Sequence, residues 1–234
     1  MNWNTQFSRQ SIWTKAISNQ AEKQKVADQI AAKAQDGQVI GAGSGSTSFL
    51  ALQAISKRMK EEGLRIKMVP TSYEIEVICA QLGVPTATLL EAKPDWYYDG
   101  ADEVDPHGNL IKGRGGAMLR EKLVLSASEE AFILVDPSKF VTQLGEKFAV
   151  PVEIVPEAIH LVERGLTQLG ANDIKLRMAA QKDGPVITEN GNIILEVRFD
   201  HVGDEMEGAI KSIIGVVESG LFIGYDVQVI SPES

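Results

Sequence analysis

Between Val39 and Val135 the chain repeats one junction: a short apolar run, a turn of small or polar residues, then an amphipathic helical pattern. Val39-Ile40 leads into Gly41-Ala42-Gly43-Ser44-Gly45-Ser46-Thr47, after which Phe49, Leu50, Leu52, Ile55 and Met59 recur at helical spacing until Gly63. Ile66 to Val69 is followed by Pro70-Thr71-Ser72, where serine can cap a helix running from Tyr73 to about Leu82. Trp96-Tyr97-Tyr98 ends in carboxylates, and a helix from about Gly116 to Glu129 precedes the apolar run Phe132 to Val135. An opening helix over Ala21 to Ala34 stops at Asp36-Gly37. Such alternation predicts an α/β fold: a mostly parallel sheet, right-handed crossovers, helices on both faces, and ligands outside the carboxyl ends of the strands.

The pattern changes after Pro151 and Pro156. A helix over about Glu157 to Leu169 is followed by Asp173 to Arg177, Val186 to Thr188, the turn Glu189-Asn190-Gly191-Asn192, and Ile193 to Val197. Two strands around Asn-Gly read as a hairpin, so this part is expected to be a smaller α+β domain with antiparallel strands. A helix near Asp204 to Ile213 follows, and Val227 to Ile230 is a strand open to either part. The expected division is a leader over 1–20, a catalytic domain over 21–145 plus 225–234, and a small domain over 146–224. Whether the leader is disordered or docks on the body is open.

Composition removes several function classes. With 23 basic against 32 acidic residues the net charge is −9, and no basic run offers a footprint for nucleic acid. The single cysteine, Cys79, forms no internal disulfide and no Cys-based zinc site, and reads as a core thiol. The histidines, His107, His160 and His201, have no metal-ligand spacing, so no metal is expected. No window approaches 18 apolar residues and the N-terminus lacks a signal-peptide apolar region, which together point to a cytoplasmic protein without a membrane partner.

Three segments carry possible chemistry. In the glycine-serine loop, backbone N–H groups, the positive end of a helix and the hydroxyls of Ser44, Ser46 and Thr47 converge, which suits a phosphate. It matches neither nucleotide template, and a tight turn is the plainer alternative. Asp99-Gly100-Ala101-Asp102-Glu103 crowds three carboxylates at a strand end, against the alternative of a solvated acidic loop. In Lys112-Gly113-Arg114-Gly115-Gly116-Ala117-Met118-Leu119-Arg120-Glu121-Lys122, Glu121 falls one turn into a helix among apolar residues, as a base or as a surface ion-pair partner. Together, a lysine, acids and a phosphate loop suggest proton transfer next to a carbonyl on a phosphorylated substrate.

Those segments, followed by Asp136-Pro137-Ser138-Lys139, resemble type A ribose-5-phosphate isomerases in order and approximate spacing, from about Glu22 to Ile230. Ser44 stands where the family often has Thr, and Gly220 to Asp226 is only similar to the family's usual run. The resemblance implies a Rossmann-like domain beside the α+β domain, and aldose-ketose isomerisation through a cis-enediol(ate) without metal or other cofactor. It implies Glu121 as the base between C1 and C2, Asp99 as the acid-base group for ring opening and oxygen protonation, Asp102 as an orienting group for sugar hydroxyls, and Lys112 as the cation at the oxyanion. Substrate contacts would fall on Ser44, Gly45, Ser46, Thr47, Gly100, Ala101, Gly113, Arg114, Gly115 and Lys139. Lys23 would be a further phosphate ligand, with Lys25 as its alternative. The expected partners are a pentose 5-phosphate and further copies of the chain, as a homodimer or homotetramer. A sugar-phosphate sensor domain and a coenzyme A transferase remain alternatives at this level; the first needs no base, and the second would use Glu121 as a nucleophile.

Overall fold

The structure is a computed structural model that describes Trp13 and residues 16–232. The elements in chain order are α1 (Gln20–Ala32), β1 (Val39–Ala42), α2 (Gly45–Glu62), β2 (Lys67–Pro70), α3 (Tyr73–Leu82), β3 (Trp96–Gly100), β4 (Glu103–Val104), β5 (Leu110–Ile111) and α4 (Met118–Ala127). They continue with β6 (Glu130–Leu134), β7 (Val150–Ile154), α5 (Ile159–Gln168), β8 (Ala171–Leu176), β9 (Ile193–Phe199), α6 (Met206–Lys211), β10 (Val216–Ser219), β11 (Leu221–Phe222) and β12 (Gln228–Ile230).

The chain forms two compact units. The first takes the residues up to Asp99, then Val124–Asp136 and the end from Ile230. Its sheet has the order β12-β6-β3-β1-β2, with β1 parallel to both β2 and β3. The inner strands β1, β3 and β6 are short and nearly continuously buried, as strands of a sheet covered on both faces must be, while the edge strands β2 and β12 are more open. Trp96 and Tyr98 project to one side of β3 and join Val26, Ile30, Ile40, Leu52, Ile55, Ile75, Ile78 and Phe132 in one core. Each such aliphatic side chain contributes about 1.5–3 kcal/mol by leaving water. The final strand, left open by the sequence, lies at the edge of this sheet.

The second unit takes Gly100–Leu123 and Pro137–Val229. A four-stranded sheet of order β10-β7-β9-β8, antiparallel throughout its registered pairs, carries a second core of Val150, Val152, Ile154, Leu195 and Val197 under Val162, Leu166 and Ile210. A smaller antiparallel sheet runs β11-β5-β4. These bounds differ from the expected division at residue 145, because Ile111 and Leu221 of the smaller sheet belong to the second core.

One further expectation changes. No hairpin forms around Asn190-Gly191: β9 pairs with β7 and β8, and Thr188 to Asn192 closes a tight turn with Thr188 N–H donating to Asn192 O at 2.8 Å. The cause is the buried Glu153 carboxylate, which draws Thr188 Oγ1 (2.7 Å) and Asn192 Nδ2 (2.9 Å) inward and away from a ladder. The leader is partly docked. Trp13 stacks on Phe49 with centroids 5.0 Å apart, Ile17 packs on the first core, and Asn19 Nδ2 donates to Asp136 Oδ1 at 3.2 Å. Residues 1–12, 14 and 15 of that leader lie outside the described residues. No helix among the described residues is long and apolar enough to cross a membrane.

Candidate active site

In the first unit the glycine-serine loop joins β1 to α2 and its groups are tied to neighbouring elements. Ser44 is the N-cap residue of α2, yet its hydroxyl turns to Thr71 (2.9 Å) and Ser72 (2.8 Å) instead of capping its own helix. Ser72 in turn caps α3 by accepting from Ile75 N–H at 3.3 Å. The starts of two helices therefore meet at one cluster of hydroxyls, a surrounding that favours a negative group. Lys23, on the buried face of α1 with Val26, Ala27 and Ile30, donates to Ser46 Oγ at 3.2 Å. Lys25 is exposed. Thr47 is buried on α2.

Asp99 lies at the carboxyl end of β3 and is 1% exposed. The strand period of two puts Tyr97 on the same side, and the Tyr97 hydroxyl donates to Asp99 Oδ2. Ser48 Oγ, one turn into α2, donates to Oδ1 at 3.2 Å. Gly43 makes this approach possible, since a Cβ there would overlap the Asp99 carboxyl. The next position on the strand, Tyr98, faces the opposite way, and complete burial pushes its phenol well above the ordinary value.

The second unit holds Gly100, Ala101, Asp102, the Lys112–Gly115 loop, Glu121 and Lys139. Lys112 and Glu121 are 3% and 4% exposed, and the Lys112 ammonium lies 3.3 Å from Glu121 Oε2 while donating to Gly100 O at 2.5 Å. Both charges are out of water and each offsets the other's desolvation. Phe222 places its ring centre 5.7 Å from the same ammonium. The three carboxylates of the acidic segment part company. Asp102 Oδ2 accepts from the Arg114 backbone N–H at 3.2 Å, and Glu103 is wholly buried and accepts from the N–H groups of Gly145, Lys147 and Phe148 at 2.6–2.7 Å. Glu103 is thus a structural anchor for the loop at 145–148.

Arg177, at the end of β8, bonds the carbonyls of Gly113 (2.9 Å) and Arg114 (3.1 Å), which fixes the loop that follows Lys112. Lys139 closes a short 3-10 turn, and its ammonium is 5.6 Å from the Phe148 ring centre. Among the described residues no cluster of His, Cys, Asp or Glu is arranged to hold a metal. A buried carboxylate beside a buried ammonium can take a proton from carbon and meet charge developing on an adjacent oxygen.

Sequence reasoning did not bring Tyr97, Ser48, Thr71, Arg177 or Phe222 to the site. Tyr97 was within reach, two residues before Asp99 on a strand, and Ser48 lies one residue beyond the loop that was singled out. Nothing in the local sequence points from Lys112 to Phe222.

Comparison with known proteins bears on this arrangement. The family described as Ribose 5-phosphate isomerase A (phosphoriboisomerase A) matches residues 67–233. A ribose-5-phosphate isomerase A from Thermosynechococcus vestitus is 47% identical over 205 residues, covering 86% of each chain, and one from Methanocaldococcus jannaschii is 43% identical over 213 residues, covering 90% of this chain and 93% of the other. The solved Methanocaldococcus jannaschii enzyme superposes with a TM-score of 0.87 at 41% identity, over 91% of this chain and 94% of that one. A D-ribose-5-phosphate isomerase in complex with phospho-erythronic acid gives a TM-score of 0.86 at 36% identity, over 90% and 94% of the two chains.

Proposed function

The chain belongs to the ribose 5-phosphate isomerase A family, and from that premise we propose that it interconverts D-ribose 5-phosphate and D-ribulose 5-phosphate by proton transfer. The observation that carries the residue assignment is the buried pair of Lys112 and Glu121, 3.3 Å apart.

In the aldose-to-ketose direction Glu121 removes the proton from C2 of the open-chain sugar. The electron pair of that bond forms the C1–C2 double bond, and the carbonyl π pair moves to O1, where Lys112 meets the enediolate charge. O1 then gains a proton, O2 loses one, and Glu121 returns its proton to C1. Asp99, supported by Tyr97 and Ser48, serves the oxygen protons and ring opening, and Asp102 orients the sugar hydroxyls. The phosphate falls to Lys23, Ser44, Gly45, Ser46, Thr47 and Lys139, where charge-assisted hydrogen bonds are the strong ones. Gly100, Ala101, Gly113, Arg114 and Gly115 line the substrate. The reaction needs no cofactor, because the cation at the oxyanion is a side chain. A cytoplasmic homodimer or homotetramer belongs to the same reading, and sedimentation tests the assembly.

Incubating the purified chain with ribose 5-phosphate in EDTA and assaying ketose tests the activity. Accumulation of ribulose 5-phosphate is the expected result, and none at any enzyme concentration rejects the proposal.

A further inference from the structure

Helix α4 presents two charged neighbours in succession, and they turn to different partners. Glu121 faces Lys112, whereas Lys122, about 100° further round the helix, is buried among other groups. Its ammonium donates to Glu207 Oε1 (2.7 Å), Glu218 Oε1 (2.8 Å), Ser219 O (3.2 Å) and Leu221 O (2.8 Å), and it stands 4.7 Å from the centre of the Phe222 ring.

Three consecutive carbonyls are thereby divided between two lysines. Ser219 and Leu221 accept from the Lys122 ammonium, and Gly220 between them accepts from the Lys112 backbone N–H at 2.8 Å. β10 ends at Ser219 and β11 begins at Leu221, with the chain bending at Gly220 between them, so these three carbonyls and their two lysines hold one short bent stretch. Gly220 leaves no slack: its N–H donates to Pro151 O at 2.7 Å, and a Cβ would overlap Lys112 O. Two residues on, the Phe222 ring meets the Lys112 ammonium as well as that of Lys122. Glu207 and Glu218 offset the charge of Lys122, and Lys211 shares Glu218 at 2.9 Å.

We propose that Lys122 is a positioning residue for the isomerisation: it ties the helix that carries Glu121 to the strand segment on which Lys112 is hung, and so sets the distance between base and cation. The inference rests on the roles given above to Glu121 and Lys112.

Its test is kcat and KM for Lys122→Met, alone and combined with Lys112→Ala. Acting through Lys112, Lys122→Met lowers kcat at least about fivefold with KM within about twofold in the otherwise native chain, and adds less than about twofold in the Lys112→Ala chain, because one interaction cannot be lost twice. A smaller fall in the native background, or equal falls in both, overturns the inference and leaves Lys122 a stabilising ion pair. If Lys122→Met strands Glu207 and Glu218 unpaired and fails to fold, Glu218→Gln decides. A kcat at least about twofold down at unchanged KM then supports the inference, and a smaller change overturns it. Should Lys112→Ala by itself keep native kcat, the assignment of the oxyanion cation fails and this inference falls with it. A slow Lys112→Ala beside a fast Lys122→Met rejects the inference alone.

Discussion

In the first unit the buried Asp99 carboxylate is met by the hydroxyls of Tyr97 and Ser48, whereas in the second the buried Glu121 carboxylate faces the Lys112 ammonium. The same contrast runs through the surroundings. Ser44, Thr71 and Ser72 form a hydroxyl cluster at two helix starts, while Lys112, Glu121, Lys122, Glu207 and Glu218 form buried ion pairs beside one aromatic ring. Hydroxyls and helix dipoles suit an incoming dianion, and under the proposed function Lys23, bonded to Ser46, adds one positive charge to them. Paired charges cost desolvation but hold a base and a cation in one geometry. Under the proposed function, the hydroxyl cluster governs how tightly the phosphate is held, and Asp99 and the paired charges how fast the sugar reacts.

The largest break in that comparison is Lys112→Ala. Turnover should fall by about two orders of magnitude, the usual cost of removing an oxyanion donor, while exhaustive chelation of the native chain leaves its activity intact. Steady-state kinetics with and without EDTA checks both, and loss on chelation with recovery on adding a divalent ion contradicts the assignment to a side chain.

A smaller effect, on binding, is expected from Thr47→Val, which deletes one hydroxyl at nearly constant volume. If Thr47 holds the phosphate, affinity for ribose 5-phosphate weakens by about 1.5–3 kcal/mol, the range for a hydrogen bond to a charged group. Titration calorimetry measures it, and activity on unphosphorylated ribose should change far less. Equal damage to both substrates would make Thr47 a structural residue of α2.

Smallest is a stability effect with a pH signature. Burial pushes the Glu218 carboxyl up, but the Lys122 ammonium, the Ser219 N–H and the Lys211 ammonium together more than reverse this, so the group sits below its ordinary 4.5. A carboxyl lowered on folding contributes stability that is fully present above its unfolded value and is lost as pH falls through its folded one. Glu218→Gln should therefore reduce the drop in melting temperature between about pH 7 and pH 3 by about 2–4 °C, the shift that accompanies 1 kcal/mol in a chain of this size. Thermal scans at both ends of that range check it.

The two units also differed in how much the sequence disclosed. In the first, α2 and α3 fell where apolar spacing and the Ser72 cap placed them, because those signals act within one or two helical turns. In the second, β4, β5 and β11 are two residues each, too short for any periodicity, and the sheet is completed by pairing of β5 with β11 across more than a hundred positions, as between Ile111 and Leu221. The Asn190-Gly191 turn was visible, but its partners were misread because Glu153, which holds it, lies far back in the chain. At the site, Glu121, Lys112 and Asp99 were legible as residue types in glycine-rich context. The local sequence does not separate Lys23 from Lys25, of which only the first lies on the buried face of α1, and nothing near Lys112 announces Phe222.

The most direct test of the account is turnover of Glu121→Gln, which keeps the shape of the side chain and removes the proton acceptor. The account predicts kcat lower by at least about a hundredfold, KM little changed and native circular dichroism. Turnover within a few-fold of the native chain would contradict it.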